Sequence, residues 1–324
     1  MAPPSPVMMS PPHTSLRLSR AMAAAACTRA AVAPALTACV GRSRVRCRGA
    51  ARATAAAASP APAAPHTLYT ASISNFGARP KLVLAWKGVP STQVAVDSPM
   101  ALGGIKSPEY LALNPQGKMP LLRLPDGSAL YESEVIVQYL LDVFAGTGPS
   151  LVPDTPAGRV RSRARPGIPR CLTPKWCIQA HANLLTRLHD VYCAPHQPAM
   201  YKEMDAAQRA ASLAALAAQL DILEATLHPT GPYAAGGQLT TADAALFPTC
   251  VFWTNILPAV YGWPDVFARR PRMARWWAAM CGDAAAAAVK ADIDAGLGKW
   301  RDDDRYGKLG ITAQVADRSF TWAH

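Results

Sequence analysis

Acidic residues are absent from the first 65 positions, which hold eight Arg, 21 Ala and 9 Pro but no Lys. No C-x-x-C pair occurs anywhere in the 324 residues, and the five Cys beyond position 65 are an odd number. A zinc knuckle and a disulfide framework are therefore both disfavoured. No run of about 18–20 apolar residues is uninterrupted, which argues against a spanning helix. The longest candidate, 244–260, contains Pro248, Asn255 and Pro258. A basic stripe on a folded face is also missing. The formal net charge is +12, but residues 1–65 carry +8 and residues 159–175 carry +6. The other 242 residues hold 19 basic and 21 acidic side chains. That distribution speaks against nucleic-acid binding, which requires the positive charge on a structured surface.

What is present divides the chain. An Arg-rich, Ser-containing, acid-free segment fits an organellar transit peptide, and the Pro-Ala sequence from Ser59 to Pro65 reads as a linker. Residues 1–65 are expected to direct the chain to the chloroplast, with the mitochondrion as the alternative destination. A low-complexity tail without an address is the other reading. From residue 66 the patterns order as strand, helix, strand, short helix, strand, strand, helix within about 80 residues. Strands are expected at His66–Thr70, Thr92–Val96, Met119–Leu124 and Ser128–Tyr131, the last two joined at Asp126-Gly127, a hairpin signal. Helices are expected at Phe76–Gly88, Glu109–Asn114 and Ser133–Ala145, with Ser133 as N-cap of the last. Beyond Pro149 only helices are expected, at Ala182–Tyr192, Ala206–Leu227, Thr240–Leu257, Pro264–Cys281 and Asp283–Leu297. Leu213, Leu216, Leu220, Leu223 and Leu227 form an apolar stripe, which is core rather than site.

Four segments in order carry a resemblance. These are Leu68-Tyr69 with Ser72-Ile73-Ser74-Asn75-Phe76 and Arg79; Asn114-Pro115-Gln116-Gly117-Lys118-Met119-Pro120; Tyr131-Glu132-Ser133-Glu134; and Leu239-Thr240-Thr241-Ala242-Asp243. Together they resemble the soluble glutathione transferase family, Ser-type classes, over about Thr67–Trp300. The resemblance implies an α/β plus all-α architecture: a thioredoxin-like domain at 66–148, then a helical-bundle domain at 149–300 and a tail at 301–324. It also implies glutathione as co-substrate, a small electrophilic or hydrophobic second substrate, no metal, and a homodimer.

The chemistry required is the ionisation of a bound thiol near neutral pH. A free thiol has a pKa of about 8.5, so about two units of depression, roughly 3 kcal/mol, are needed. A hydroxyl donating to a charged acceptor supplies roughly 1.5–3 kcal/mol, and a helix N-terminus roughly 0.3–2 kcal/mol. One Ser at the start of a helix is enough in magnitude. Ser74, five residues before Arg79 as in the family pattern, is the expected catalytic hydroxyl, with Ser72 as the alternative. Asn75 is either a second donor or a helix cap. By resemblance, Pro120 is cis and Met119 pairs with the cysteinyl backbone. Ser133 holds the γ-glutamyl carboxylate and Glu132 its ammonium group. Lys118 and Lys106 are candidates for the glycyl carboxylate, each with a solvated surface role as the alternative. Thr240 and Asp243 form a capping box with a structural role. Tyr69 is expected to pack within its strand.

The second-substrate pocket is expected between the domains, with His189, Tyr192 and Tyr201 from the stretch 185–201. His189 and His196 lack a third ligand for a metal. The tail, with Phe320 and Trp322, either folds over the pocket or packs on the surface. Two departures from the family stand out. No Cys lies in Ala71–Phe76, which disfavours mixed-disulfide chemistry at the loop. Residues 161–181 interrupt the first long helix of the second domain with Pro166, Pro169 and Pro174, either as an insertion or as a gene-model artefact. The resemblance implies conjugation of glutathione to an electrophile, or a glutathione-dependent peroxidase or isomerase reaction, and a carrier protein on the same fold, without turnover, is the alternative function.

Overall fold

The computed structural model describes residues 65–152 and 178–324. The N-terminal segment up to residue 64 and most of the doubtful stretch 161–181 lie outside the described residues.

The α/β part is a sheet in the order β2-β1-β3-β4. It comprises β1 (His66–Tyr69), β2 (Val94–Asp97), β3 (Leu121–Arg123) and β4 (Ala129–Tyr131). β1 and β2 are parallel, joined by helix α1 (Asn75–Lys87), and β3 is antiparallel to both β1 and β4. Alternation along β1 sends Leu68 into the main core and Tyr69 into a smaller cluster with Leu102, Tyr110 and Leu121. Tyr69 therefore packs, as expected of a residue inside the strand. Helix α2 (Pro108–Leu113) is short and capped by Ser107, and α3 (Ser133–Val143) follows β4.

The helical part begins, within the described residues, at α4 (Ile178–Leu188). It continues through a π-helical turn at His189–Cys193 and a 3-10 turn at Ala194–Met200. Then come α5 (Ala206–Thr226), α6 (Thr241–Tyr261), α7 (Pro271–Cys281) and α8 (Ala284–Asp302). Two short helices, α9 (Arg305–Lys308) and α10 (Ile311–Ala316), complete the chain. The leucine stripe of α5 is buried throughout. Asp243 accepts from the N–H and hydroxyl of Thr240 at 2.8 and 2.9 Å, from the N–H of Ala234 and from Trp276 Nε1. The capping box thus also ties two helices to a loop. Helix α1 packs against α3 on one side and against α6 and α8 on the other, so one core runs through both parts.

Several expectations are corrected. The helix expected to end at Leu257 continues through Pro258 to Tyr261, and it also contains Pro248, because its neighbours surround it and burial outweighs two missing backbone hydrogen bonds. α6 is the one described helix long and apolar enough to cross a bilayer, and Leu246, Phe247 and Trp253 on it are fully buried in the core. The helix expected from Pro264 starts only at Pro271, where a proline at the first turn sacrifices no hydrogen bond. Ser133 is not the N-cap of α3; it is the first helical residue, and Glu132 before it is in the left-handed region at φ 71°. The tail enters the core: Trp322 is buried, and its carbonyl accepts from Trp263 Nε1 at 2.8 Å.

Candidate active site

The sheet register gathers three segments at one edge. Tyr69, at the end of β1, pairs with Leu121, at the start of β3, and Leu121 pairs with Tyr131, at the end of β4. The chain leaving β1 (Ala71–Ser74), the chain entering β3 (Lys118–Pro120) and the chain leaving β4 (Glu132–Ser133) are therefore neighbours, although up to about 60 residues separate them in sequence.

Each segment has its own geometry. Met119-Pro120 is a cis peptide, and Met119 lies just outside the β3 ladder. No backbone hydrogen bond among the described residues uses its N–H or C=O. Lys118 is exposed, and its carbonyl is held by Asn114 Nδ2 and the Tyr110 hydroxyl, both at 2.7 Å. Gly117 is left-handed at φ 58°, and a Cβ there would sit 2.9 Å from Lys106 Nζ. Lys106 is therefore folded against the turn that carries Lys118. Glu132 holds a backbone conformation that costs about 1–3 kcal/mol for a non-glycine residue. Such strain is typical of sites where the backbone is aimed at a ligand. Ser133 is buried, and no hydrogen bond to its hydroxyl occurs among the described residues.

Ser74 caps α1. Its Oγ accepts the N–H of Gly77 at 3.1 Å, and its backbone is extended as an N-cap requires. Capping uses a lone pair and leaves the hydroxyl proton free, so cap and anion donor are compatible roles. The first turn of α1 carries no acid, so the positive end of the helix is uncompensated. Ser72 is exposed and lines a cavity instead.

Asn75 has a different task from the one expected. Its amide donates to Gln197 Oε1 at 2.8 Å and to Thr249 Oγ1 at 2.9 Å. Both donor hydrogens point into the helical part, away from any thiol. Thr249 in turn contacts His189 Nε2 at 2.7 Å, and His189 Nδ1 lies 2.7 Å from Asp190. Asp190 accepts from both terminal nitrogens of Arg79, at 3.1 and 2.5 Å. From Asn75 through Thr249 and His189 to Asp190, donors match acceptors when His189 is neutral with its proton on Nδ1, and Arg79 Nη2, 3.2 Å from that nitrogen, then donates to Asp190 instead. His189-Asp190 is thus a buried strut between α1 and the helical part. His196 contacts Ser212 Oγ at 3.0 Å, and among the described residues no His/Cys/Asp/Glu group suits a metal. Burial pushes Cys193 up to about 12 and Cys250 well above its ordinary value, so neither is a nucleophile at neutral pH.

This strut has a pH signature. Burial lowers the pKa of His189 below its ordinary 6.5; the Asp190 hydrogen bond opposes that shift, and Arg79 adds to it. Burial opposes the charge on Asp190, but hydrogen bonds from His189 and Arg79 hold its carboxyl well below its ordinary 3.8. Below pH 6.5 the unfolded chain takes up a proton that the folded His189 refuses. Its contribution is therefore full above that pH and is lost as pH falls through it, while that of Asp190 is lost only below 3.8. Between pH 7 and 5 the unfolding free energy should fall with a slope of up to about 1.4 kcal/mol per unit for the one group. His196 and His228 shift in the same direction, so the check is a comparison of urea midpoints between wild type and His189→Gln. The variant should show the shallower dependence, and equal slopes would contradict the assignment.

A cavity of about 440 Å³ lies beside the loop, lined by Ser72, Ile73, Trp300, Arg305, Lys308 and Leu309, with Gly296, Lys299 and Asp303 at its wall. The pocket residues expected from the stretch 185–201 do not line it. His189 is sealed in the strut, Tyr192 is exposed, and Tyr201 supports the cavity from behind by packing on Trp300 at 5.2 Å. Burial pushes Tyr201 up to about 12. The lining comes instead from α8 and α9, so the tail contributes a wall. Trp300, Arg305, Gln197 and Thr249 carry no motif of their own. Only an aromatic followed by a cation five positions on marks the first pair in sequence.

Comparison with known proteins agrees with this architecture. The family model described as "Glutathione S-transferase, N-terminal domain" matches residues 68–148, and "Glutathione S-transferase, C-terminal domain" matches residues 206–279. The chain is 31% identical over 220 residues to "Glutathione S-transferase 3" of Zea mays, covering 67% of this chain and 89% of that protein. It is 34% identical over 104 residues to "Maleylacetoacetate isomerase" of Pseudomonas aeruginosa, covering 32% of this chain and 48% of that one. Among solved structures, glutathione S-transferase III in apo form superposes with a TM-score of 0.54 at 26% identity, over 71% of this chain and 97% of that chain. Glutathione transferase F7 from Populus trichocarpa, at 24% identity and TM-score 0.53 over 70% and 99%, shares the fold.

Proposed function

Because the chain belongs to the glutathione S-transferase family, we propose that it binds glutathione at the sheet edge and ionises the thiol with the Ser74 hydroxyl. The thiolate then attacks an electrophile held in the cavity beside Ser72 and Ile73. The observation that carries this reading is Ser74 itself. It is fixed by its cap to Gly77, stands at an uncompensated helix N-terminus, and keeps its proton free to donate. In this reading Met119 pairs with the cysteinyl backbone, Ser133 and the amides at the start of α3 receive the γ-glutamyl carboxylate, and Glu132 faces the ammonium. Lys106 and Lys118 meet the glycyl carboxylate. The thiol proton leaves to water, and the thiolate is held by the hydroxyl and the helix end. The same thiolate could serve a glutathione-dependent isomerisation, a reading favoured by the isomerase relatives, whose likeness extends over about 100 residues.

Turnover with glutathione and chlorodinitrobenzene tests the proposal. The second-order rate constant should rise to a plateau with a midpoint about two units below the roughly 8.5 of a free thiol. A rate that tracks the uncatalysed thiol across the whole pH range would remove the proposal and leave a ligand carrier.

A further inference from the structure

The cavity beside the loop is not chemically neutral. Lys299 and Asp303 form an exposed ion pair at 3.5 Å and offset one another. Lys308 Nζ donates to the Asp303 carbonyl rather than to a carboxylate. Arg305 is the least satisfied group. Its Nη2 reaches the Tyr201 carbonyl only at 3.5 Å, the limit of a hydrogen bond, and its Nε is buried with no partner. Among the described residues no carboxylate lies within 4.0 Å of Arg305 or Lys308. The guanidinium carbon sits 4.4 Å from the centroid of Trp300, and Trp300 is packed against Tyr201 and Phe252 at 5.2 and 6.3 Å. The stack presents a planar fork of donors at low cost in side-chain freedom. Ile73 and Leu309 supply an apolar wall, and the loop bearing Ser72 leads two residues on to Ser74.

We infer that Arg305, stacked on Trp300 in the wall of this cavity, selects second substrates that carry a carboxylate beside a flat conjugated body. This deepens the proposed transferase function and rests on it for the reaction step. A guanidinium takes a carboxylate through two parallel hydrogen bonds, and an ammonium does not reproduce that geometry. The apolar wall accepts the conjugated portion, whose reactive carbon is then on the side of the loop. For an unsaturated keto acid the step is an addition. The sulfur–carbon bond forms at the alkene carbon, and the alkene π pair moves to the ketone as an enolate. The enolate takes a proton from water, replacing the one the thiol released. The carboxylate is unchanged and serves only recognition.

The test separates recognition from chemistry by using an unreactive ligand. Benzoylpropionate, the saturated analogue of benzoylacrylate, and its methyl ester are titrated calorimetrically into the full chain. The wild type should bind the acid roughly 10- to 100-fold more tightly than the ester, the range expected for a charge-assisted pair. Arg305→Gln should bring the two within about threefold, weakening the acid's binding more than the ester's. Arg305→Lys, which keeps the charge and loses the fork, should retain only part of the preference. It also provides the comparison should the glutamine variant fail to fold. Equal binding of acid and ester by the wild type, or a preference untouched by either variant, would overturn the inference. Thiolate formation by bound glutathione is measured alongside. A normal thiolate without acid preference fails this inference alone, whereas acid preference without a thiolate fails the transferase reading and leaves the anion selectivity standing. With benzoylacrylate as substrate, Arg305→Gln should raise KM for the acid more than KM for the ester.

Discussion

Ser74→Ala should lower kcat/KM for the proposed glutathione conjugation by roughly 10- to 150-fold, the equivalent of losing a hydroxyl hydrogen bond to a charged sulfur at about 1.5–3 kcal/mol. Two effects combine in that residue and must be separated. The same substitution removes the cap on Gly77 N–H and should destabilise the fold by about 1 kcal/mol. A stability loss of that size leaves the protein folded at assay temperature, so the fall in rate is read on an intact site. Ser74→Asn is the control: an amide oxygen can cap the helix, but the side chain is differently placed for the sulfur. Stability should then return more fully than rate. Ser72 is exposed on the cavity wall, and Ser72→Ala should change the rate less than about threefold, a loss of under 1 kcal/mol. A larger loss at Ser72 than at Ser74 would reverse the assignment.

Asp190→Ala should be among the most destabilising single substitutions outside the apolar core, at about 3–5 kcal/mol. It leaves the Arg79 guanidinium, only 3% exposed, without its carboxylate, and it removes the acceptor of the His189 proton. Since Asp190 is 22% exposed, water can partly replace it, and the lower end of the range is expected. The double variant Arg79→Met with Asp190→Leu should cost less than Asp190→Ala alone, because no charge is then stranded. Urea unfolding of the single and double variants measures this. A double variant whose cost equals or exceeds the sum of the two single substitutions would show that the pair is not coupled as described. Arg79 and Asn75 both lie on α1, just beyond Ser74, and both anchor in the helical part. Loss of the strut should therefore also weaken glutathione binding, although none of its residues is assigned to the ligand.

The parts legible in the sequence were those fixed by local rules. Asp126-Gly127 announced the β3–β4 hairpin, and Gly127 indeed takes φ 87° with Ser128 bonded back to Asp126. The leucines of α5 were readable as core from spacing alone, and Thr240 with Asp243 as a capping box. The cis peptide before Pro120 followed from resemblance to a family, not from chemistry a single sequence displays. What stayed hidden depends on contacts across the chain. The orientation of Asn75 is decided by Gln197 and Thr249, more than 120 residues away. The extension of α6 past Pro258 to Tyr261 is decided by the helices packed around it, which no propensity scale contains. The structural role of His189 is hidden for the same reason, since its partner Arg79 is 110 residues distant. The cavity wall to be expected from the sequence is the stretch 185–201. It is built instead by Trp300 and Arg305, whose pairing appears only once α9 turns back on α8. The strain at Glu132 was equally hidden, since nothing in Tyr131-Glu132-Ser133 signals a left-handed residue.

The central claim is that the Ser74 hydroxyl stabilises glutathione as a thiolate. The most direct measurement is the ultraviolet absorbance of the thiolate as the glutathione complex is titrated with base, for wild type and Ser74→Ala. The wild-type complex should ionise about two units below the roughly 8.5 of a free thiol, and the variant should move most of the way back while still binding glutathione. A wild-type complex whose thiol titrates like that of free glutathione would contradict the account.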